Sequence, residues 1–221
     1  MLPKMDVFNI KVYTDTICPW CYIGHKSLDR AIEIYKKTYP GGSNKEFLFE
    51  YLPYYLKPDA PTEGIPWEER VADKNGEERV NAIRTRLQRV GRQNGIELKF
   101  MNRVGNTRDS HRLLQHVRRT KGGDAQKALL EQIYSAHMEH DADITSHKDI
   151  ARAAVAAGLN EDEVLAFLKS GELTEEVDAM AARSRQDGVT SVPTFDFNGK
   201  RVDLEGAAET SEFFEALVAA T

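Results

Sequence analysis

The chain has 221 residues, of which 41% are hydrophobic, with 30 Lys and Arg, 35 Asp and Glu, and two cysteines. This length and apolar content fit a domain with its own core and exclude wholesale disorder. Two cysteines cannot build a disulfide scaffold or a four-cysteine zinc site. A net charge of −5 gives no overall attraction to nucleic acid or to an anionic membrane, and we expect neither partner.

The first residues, MLPKMD, lack the apolar core and the small-residue cleavage site of a secretory signal. No run approaches the ~18 consecutive apolar residues that a membrane span needs. We therefore expect a cytoplasmic protein, in a compartment where thiols are usually kept reduced.

The chain opens with a predicted strand, helix and strand. Alternating apolar residues predict the first strand at 7–14. A helix follows, indicated by apolar residues at helical spacing: Leu28, Ala31, Ile32 and Tyr35. Pro40-Gly41-Gly42 should stop this helix. Residues 47–52 predict the second strand, which is apolar on both faces except at Glu50, so we expect it in the centre of a sheet.

After a loop at 57–64, the chain is expected to be helical for over a hundred residues. Apolar spacing and capping signals predict helices at 77–93, 107–120, 124–140, after Ser146, after Asn160 with Glu163, and at 173–185. Strands at 194–197 and 201–204, joined by Asn198-Gly199, and a helix at about 210–220 complete the chain. This order predicts an α/β domain split by an inserted helical block.

Basic residues are concentrated in one segment. Residues 79–121 contain 12 Lys and Arg but only 2 Asp and Glu, a net charge of +10. The simplest interpretation is a pair of exposed basic helices. The functional alternative is a cationic rim that attracts an anionic substrate, such as glutathione or an acidic peptide. Few aromatic residues are interleaved with the basic ones, which argues against nucleic acid.

The two cysteines, Cys18 and Cys21, are three residues apart at the predicted start of the first helix. There the helix dipole favours a thiolate, the form that attacks disulfides. The spacing therefore predicts Cys18 as nucleophile and Cys21, one turn along, as the resolving cysteine. An inert buried pair would be unusual at a helix start. A Cys2His2 zinc site would require another spacing, because His25 follows closely and the next histidine is His111.

The stretch DTICPWCYIGHKSL resembles the DsbA-like thioredoxin superfamily, and within it the FrnE-type subgroup. Two further motifs match in order: N-T-x-x-x-H-R-L at 106–113 and G-V-x-x-V-P-T-F at 188–195. Together they cover nearly the whole chain. The resemblance implies a thioredoxin fold split by an inserted all-helical domain, with 1–61 and 173–221 as the thioredoxin-like domain and 62–172 as the insertion. It also implies a thiol-disulfide oxidoreductase.

The resemblance also implies further site residues. Pro193 is expected to be a cis proline facing the cysteines, which leaves the backbone of Val192 free to pair with an extended substrate or with glutathione. Trp20 could contact substrate and tune Cys18, or pack against the helical block. Asn106 and His111 are candidates for substrate binding, although Asn106 could simply cap a helix and His111 could be a polar residue turned towards the cleft.

Two other segments bear on ligands. The run from His137 to Asp143, with His147, could bind a metal, but the resemblance places a helix end there, so we expect no metal site. Near the end of the chain, the subgroup commonly has a Ser-Gly-Ala-Gln-like step. This chain keeps Gly206-Ala207 at that place, but the residues that flank them differ. In relatives this loop helps to hold glutathione, so the departure weakens the case for glutathione binding.

We therefore expect a dithiol-disulfide oxidoreductase acting on protein or glutathione-type disulfides, with no tightly bound cofactor and with glutathione as a candidate co-substrate. Its recycling partner is not indicated, and a homodimer is compatible with the resemblance. One alternative is a glutathione-dependent transferase or isomerase, related to kappa-class glutathione transferases and 2-hydroxychromene-2-carboxylate isomerases, which usually carry serine at the position of Cys18. A second alternative is a non-catalytic, chaperone-like binder that uses the cleft.

Overall fold

The computed structural model describes residues 6–204 and 208–221. In chain order the described elements are β1 (Asp6–Thr14), α1 (Pro19–Thr38), a short 3-10 helix (Gly42–Asn44), β2 (Lys45–Pro53), β3 (Ile65–Pro66), α2 (Trp67–Asn75), α3 (Glu77–Gln93), β4 (Arg103–Val104), α4 (Arg108–Lys121), α5 (Gly123–Glu139), α6 (His147–Ala156), α7 (Glu161–Ser170), α8 (Thr174–Gln186), β5 (Thr194–Phe197), β6 (Lys200–Val202) and α9 (Thr210–Ala219). Of the described helices, none has both the length and the apolar character needed to cross a bilayer.

Four of the strands form one mixed sheet in the order β2-β1-β5-β6. Strand β1 pairs in parallel with β2 and antiparallel with β5, so it lies inside the sheet. Phe8, Ile10 and Val12 alternate along β1 and are all buried, as the period of two predicts. The sheet thus fixes the carboxyl end of β1, from which the chain runs through Asp15 to the first cysteine.

The predicted central position of β2 is wrong, because among the described strands β2 forms an edge of the sheet. Its alternate residues Phe47, Phe49 and Tyr51 are buried, whereas Leu48 between them is 42% exposed. The strand is therefore buried on one face only. A strand of mostly apolar residues looks the same in sequence whether its second face is covered or not.

Side chains from the inserted helices cover the outer edge of β2. Gln126 on α5 accepts from the Tyr51 N–H at 3.1 Å and donates to the Tyr51 carbonyl at 3.0 Å. Gln115 on α4 donates to the same carbonyl at 2.9 Å, and Arg118 donates to the Phe49 carbonyl at 3.0 Å. These bonds supply partners for backbone groups that an edge strand would otherwise leave unpaired.

The helical block contains a short β-ribbon that was not predicted. Gly95, with φ +74°, ends α3, and the Ile96 N–H bonds back to the Gly91 carbonyl at 2.9 Å. The chain then runs in a non-helical segment to β4, which pairs antiparallel with β3. A ribbon of two residues per strand is too short to show a hydrophobic period, so nothing in the sequence pattern indicated it.

The inserted helices and the sheet share one apolar core. Leu129, Leu130 and Ile133 on α5 belong to the same buried cluster as Phe8 and Ile10 of β1. Helix α9 packs against α1, with the rings of Phe214 and Tyr35 6.2 Å apart, and its fully buried Phe213 packs edge-on against Phe195 of β5. The cysteine-bearing start of α1 therefore lies in a framework built by both parts of the chain.

Candidate active site

The first turn of α1 carries both cysteines. Cys18 is the N-cap residue, with extended backbone at φ −88° and ψ 111°, and Pro19 follows at the first helical position. The Cys18 carbonyl accepts from the Cys21 N–H at 3.0 Å and from the Tyr22 N–H at 3.3 Å. Cys18 and Cys21 are 3.4 Å apart and are not joined in a disulfide. This is the arrangement expected from their spacing.

Both thiols are buried: Cys18 is 4% exposed and Cys21 is 2% exposed. Burial is the largest cause of a pKa for Cys21 well above its usual value, and the hydrogen bond and the charge of Cys18 raise it further. Hydrogen bonds from the Thr14 side chain and the Asp15 backbone lower this pKa, but by less. Cys21 is therefore a protonated thiol at neutral pH.

The loop before β5 brings Val192 and Pro193 to the cysteines. The Val192–Pro193 peptide bond is cis. The Sγ of Cys18 lies 3.7 Å from the Val192 carbonyl oxygen, across 174 positions of sequence. Val192 is itself 8% exposed. These two residues, which the sequence motif singled out, thus lie beside Cys18.

Trp20 is half-buried and packs against the inserted helices through Arg86 of α3, whose guanidinium carbon lies 5.2 Å from the centre of its ring. It also lines an open groove together with residues of α3 and the start of α9. Both roles considered for Trp20 are therefore compatible with its position.

The other two predicted binding residues lie at the start of α4. His111 is 1% exposed, and its Nε2 is 3.5 Å from Oδ1 of the equally buried Asp15. Neither of these two atoms has a hydrogen-bond partner among the described residues. The Asn106 side chain accepts from the Arg108 N–H at 2.9 Å in a local turn just before α4, whose N-cap residue is Thr107. A side chain as buried as His111 offers a substrate almost no surface.

Two site residues were missed by sequence reasoning. The hydroxyls of Thr14, at the end of β1, and Tyr134, on α5, are hydrogen-bonded to each other, and Tyr134 is 1% exposed. The Thr14 side chain also lowers the pKa of Cys21. The position of Thr14 at the end of the strand was a usable signal. Tyr134 had none, because its contact joins residues 120 positions apart.

A polar cluster lies along α1 beyond the cysteines. His25 bonds through Nε2 to Glu131 at 2.9 Å and through Nδ1 to the Tyr51 hydroxyl at 3.0 Å, and Asp29 pairs with Lys127 at 2.6 Å. The His25 hydrogen bond is the main cause that lowers the pKa of Glu131 to about 2. Ligand atoms of His25, Asp29 and Glu131 lie within 4.8 Å of one another, so this cluster is where a metal could be held. Both ring nitrogens of His25 already have protein partners.

The histidines considered for a metal site point to separate partners. His137 is buried and bonds to Asn102 and to the Ala142 carbonyl, and burial lowers its pKa. His147 bonds to Asp109 at 2.6 Å. The Gly206-Ala207 step, which bears on glutathione, lies outside the described residues.

Comparison with known proteins agrees with this geometry. A model of the DSBA-like thioredoxin domain family matches residues 9–218. The "Uncharacterized protein YwbO" of Bacillus subtilis (strain 168) is 22% identical over 210 residues, which cover 95% of each chain. The "probable DsbA oxidoreductase SCO1869" of Streptomyces coelicolor superposes with a TM-score of 0.81 at 25% identity, over 96% of this chain and 89% of that one.

More distant structures share the fold. The "cytosolic disulfide reductase DsbM" of Pseudomonas aeruginosa matches with a TM-score of 0.62 at 15% identity, over 96% of this chain and 97% of that one. A "2-hydroxychromene-2-carboxylate isomerase" matches with a TM-score of 0.67 at 16% identity, over 96% and 93%. The predicted fold class and the DsbA-like resemblance are thereby confirmed. The FrnE-type subgroup and the domain boundaries stay predictions.

Proposed function

Because the chain belongs to the DSBA-like thioredoxin domain family, we propose that it is a thiol-disulfide oxidoreductase that works through Cys18 and Cys21. The observation that carries the proposal is the placement of the two thiols 3.4 Å apart in the first turn of α1, with Cys18 at the N-cap. Unpaired N–H groups and the helix dipole stabilise negative charge at that position.

The chemistry follows from the positions of the two thiols, with Cys18 at the N-cap of α1 and Cys21 within its first turn. The Cys18 thiolate attacks one sulfur of a substrate disulfide, a mixed disulfide forms, and the first substrate thiolate leaves and takes up a proton. Cys21 then loses its proton and attacks the Cys18 sulfur, and the second substrate thiolate leaves. Two electrons have passed to the substrate, and the protein carries the disulfide. The reverse sequence oxidises a dithiol.

The Val192–Pro193 segment is proposed to position the substrate. The Val192 carbonyl lies 3.7 Å from the Cys18 sulfur, so a substrate chain that passes along this segment brings its own sulfur to Cys18. Trp20, which packs partly buried against the apolar core, is proposed to offer the substrate an apolar surface. These roles assign Cys18 and Cys21 to the chemistry and Val192, Pro193 and Trp20 to binding.

Substitution of each cysteine tests the mechanism. We expect Cys18→Ser to abolish reduction of insulin or of glutathione disulfide, because serine cannot form the mixed disulfide. We expect Cys21→Ser to accumulate that mixed disulfide, which mass spectrometry detects. Full activity of Cys18→Ser would contradict the proposal.

The direction of the reaction is a separate measurement. The equilibrium reduction potential of the Cys18–Cys21 pair in glutathione buffers distinguishes a reductase, near about −270 mV, from an oxidase, near about −120 mV. Glutathione as co-substrate, a homodimer and a cytoplasmic location stay predictions. Calorimetry, size-exclusion chromatography and cell fractionation would test them in turn.

A further inference from the structure

A groove of about 620 Å³ lies beside the cysteine-bearing turn. Its lining comes from α1, α3 and the start of α9, and includes Trp20, Arg30, Arg86, Arg89 and Gln93. Cys18 does not itself line the groove, but Trp20, two positions further along the chain, does, so the groove opens near the nucleophile. All three of these arginines are exposed.

The structure divides the basic segment 79–121 into two groups. Seven of its twelve cationic residues form ion pairs with described carboxylates: Arg84, Arg92, Arg103, Arg108, Arg112, Arg118 and Arg119. Arg86 and Arg89 form none with the described residues. Part of the positive charge that the described residues leave unpaired in this segment therefore lies in the lining of the groove, on Arg86 and Arg89.

Among the described residues, the positive charge of the groove is only partly compensated. Arg86 stacks over Trp20, and Arg30 donates only to the Gln93 carbonyl, at 3.4 Å. Glu209 also lines the groove, and its carboxylate keeps its negative charge while it accepts from a backbone N–H in the first turn of α9. Three guanidinium groups and one carboxylate thus line the same groove, which leaves it a net positive charge.

We propose that this groove binds an acidic stretch of a disulfide-containing protein substrate, adjacent to the cysteine that Cys18 attacks. The inference rests on the proposed function and names the substrate class of that site. Guanidinium groups pair with carboxylates in a planar, two-bonded geometry, which favours Asp and Glu side chains as the occupants. Because exposed ion pairs are individually weak, the arginines should act mainly on the rate of association.

The test is a single-turnover reaction between the reduced protein and synthetic disulfide peptides. One peptide carries Asp and Glu around its disulfide, and its partner carries Asn and Gln at the same positions. At low salt we expect the acidic peptide to react at least about fivefold faster, and we expect the difference to vanish near 1 M salt, where charges are screened beyond about 3 Å.

Matched variants locate the effect. In Arg86→Gln/Arg89→Gln we expect the difference between the two peptides to disappear. In the control, Arg79→Gln/Lys121→Gln, the difference should persist. The control removes the same charge from exposed residues of the same segment that do not line the groove.

The outcomes separate the two proposals. Equal rates for the two peptides with an active protein would overturn the groove assignment and leave the proposed function intact. Absence of reaction with every disulfide would overturn the proposed function. If the arginine variant lost only its reaction with glutathione disulfide, the groove would belong to that tripeptide rather than to an acidic protein segment.

Discussion

Cys21 depends on a chain of two hydroxyl groups. Thr14 has a single hydroxyl proton. When Thr14 donates this proton to the Cys21 thiolate, the Tyr134 hydroxyl must be the donor in the hydrogen bond between Thr14 and Tyr134. Burial makes this thiolate costly, and the Thr14 hydrogen bond offsets part of that cost. Thr14 and Tyr134 are thus positioning residues for the step in which Cys21 resolves the mixed disulfide.

We predict that Thr14→Val slows that step. Loss of the hydrogen bond raises the pKa of Cys21, so less thiolate exists at neutral pH and the pH profile of resolution moves to higher pH. Each unit by which the pKa of Cys21 rises should slow resolution about threefold. The lower fraction of thiolate slows the step, and the greater nucleophilicity of the more basic thiolate offsets part of that loss. The lifetime of the mixed disulfide, followed by stopped-flow across pH, measures the effect.

Thr16→Val is the matched control, since Thr16 is fully buried and its hydroxyl bonds to Ser110 instead. Both substitutions should lower stability. An unchanged lifetime and pH profile in Thr14→Val would show that the hydroxyl chain does not act on Cys21.

The sequence predicted those residues of the site that are marked by local spacing or by a short motif. Cys18 and Cys21 are in one helical turn, and Val192 and Pro193 belong to a short motif. The Tyr134 hydroxyl and the Asp15–His111 contact depend on how α4 and α5 pack over the loop after β1. No periodicity in the sequence encodes that packing.

Among the elements, β2 relies most on side chains from elsewhere. Gln126 is fully buried and bonds to both backbone groups of Tyr51. We predict that Gln126→Ala lowers the free energy of unfolding by about 1–3 kcal/mol, because it leaves the buried Tyr51 N–H without a partner. Urea denaturation measures the change.

Gln132→Ala, on the same helix but half-buried, is the control and should cost much less. Equal losses in the two variants would mean that the effect comes from α5 itself and not from the edge of β2.

The elements were predicted well where their signals are local. The bounds of α3 and β5 agree with the predicted 77–93 and 194–197. Ser146 and Asn160 cap their helices through the expected side-chain bonds. The failures were the two-residue ribbon and the edge position of β2, and both depend on partners that are distant in sequence.

On the scale of the whole molecule, the shared core predicts one cooperative unit. The chain has two tryptophans: Trp20 on α1 and Trp67 on α2, which is buried against Phe100. Both pack in or against the same apolar cluster. The order of strands and helices was enough to predict a split fold, but not that the insertion and the sheet share this core.

We therefore predict that urea unfolds both parts together. In Trp67→Phe the remaining fluorescence reports on Trp20, and in Trp20→Phe it reports on Trp67. In each variant the fluorescence midpoint should coincide with the far-ultraviolet circular dichroism midpoint of the same protein. A Trp67 transition at lower urea than the loss of helix would mean that part of the insertion unfolds separately.

The covered edge of β2 also bears on how copies of this chain meet each other. A bare edge strand is a template for pairing with a strand of another molecule, which leads to aggregation. On one side of the sheet, Gln115, Arg118 and Gln126 occupy backbone groups that such a strand would use. On the other side, β6 presents the exposed cations Lys200 and Arg201, which repel an identical edge. Both edges of the described sheet thus resist intermolecular strand addition.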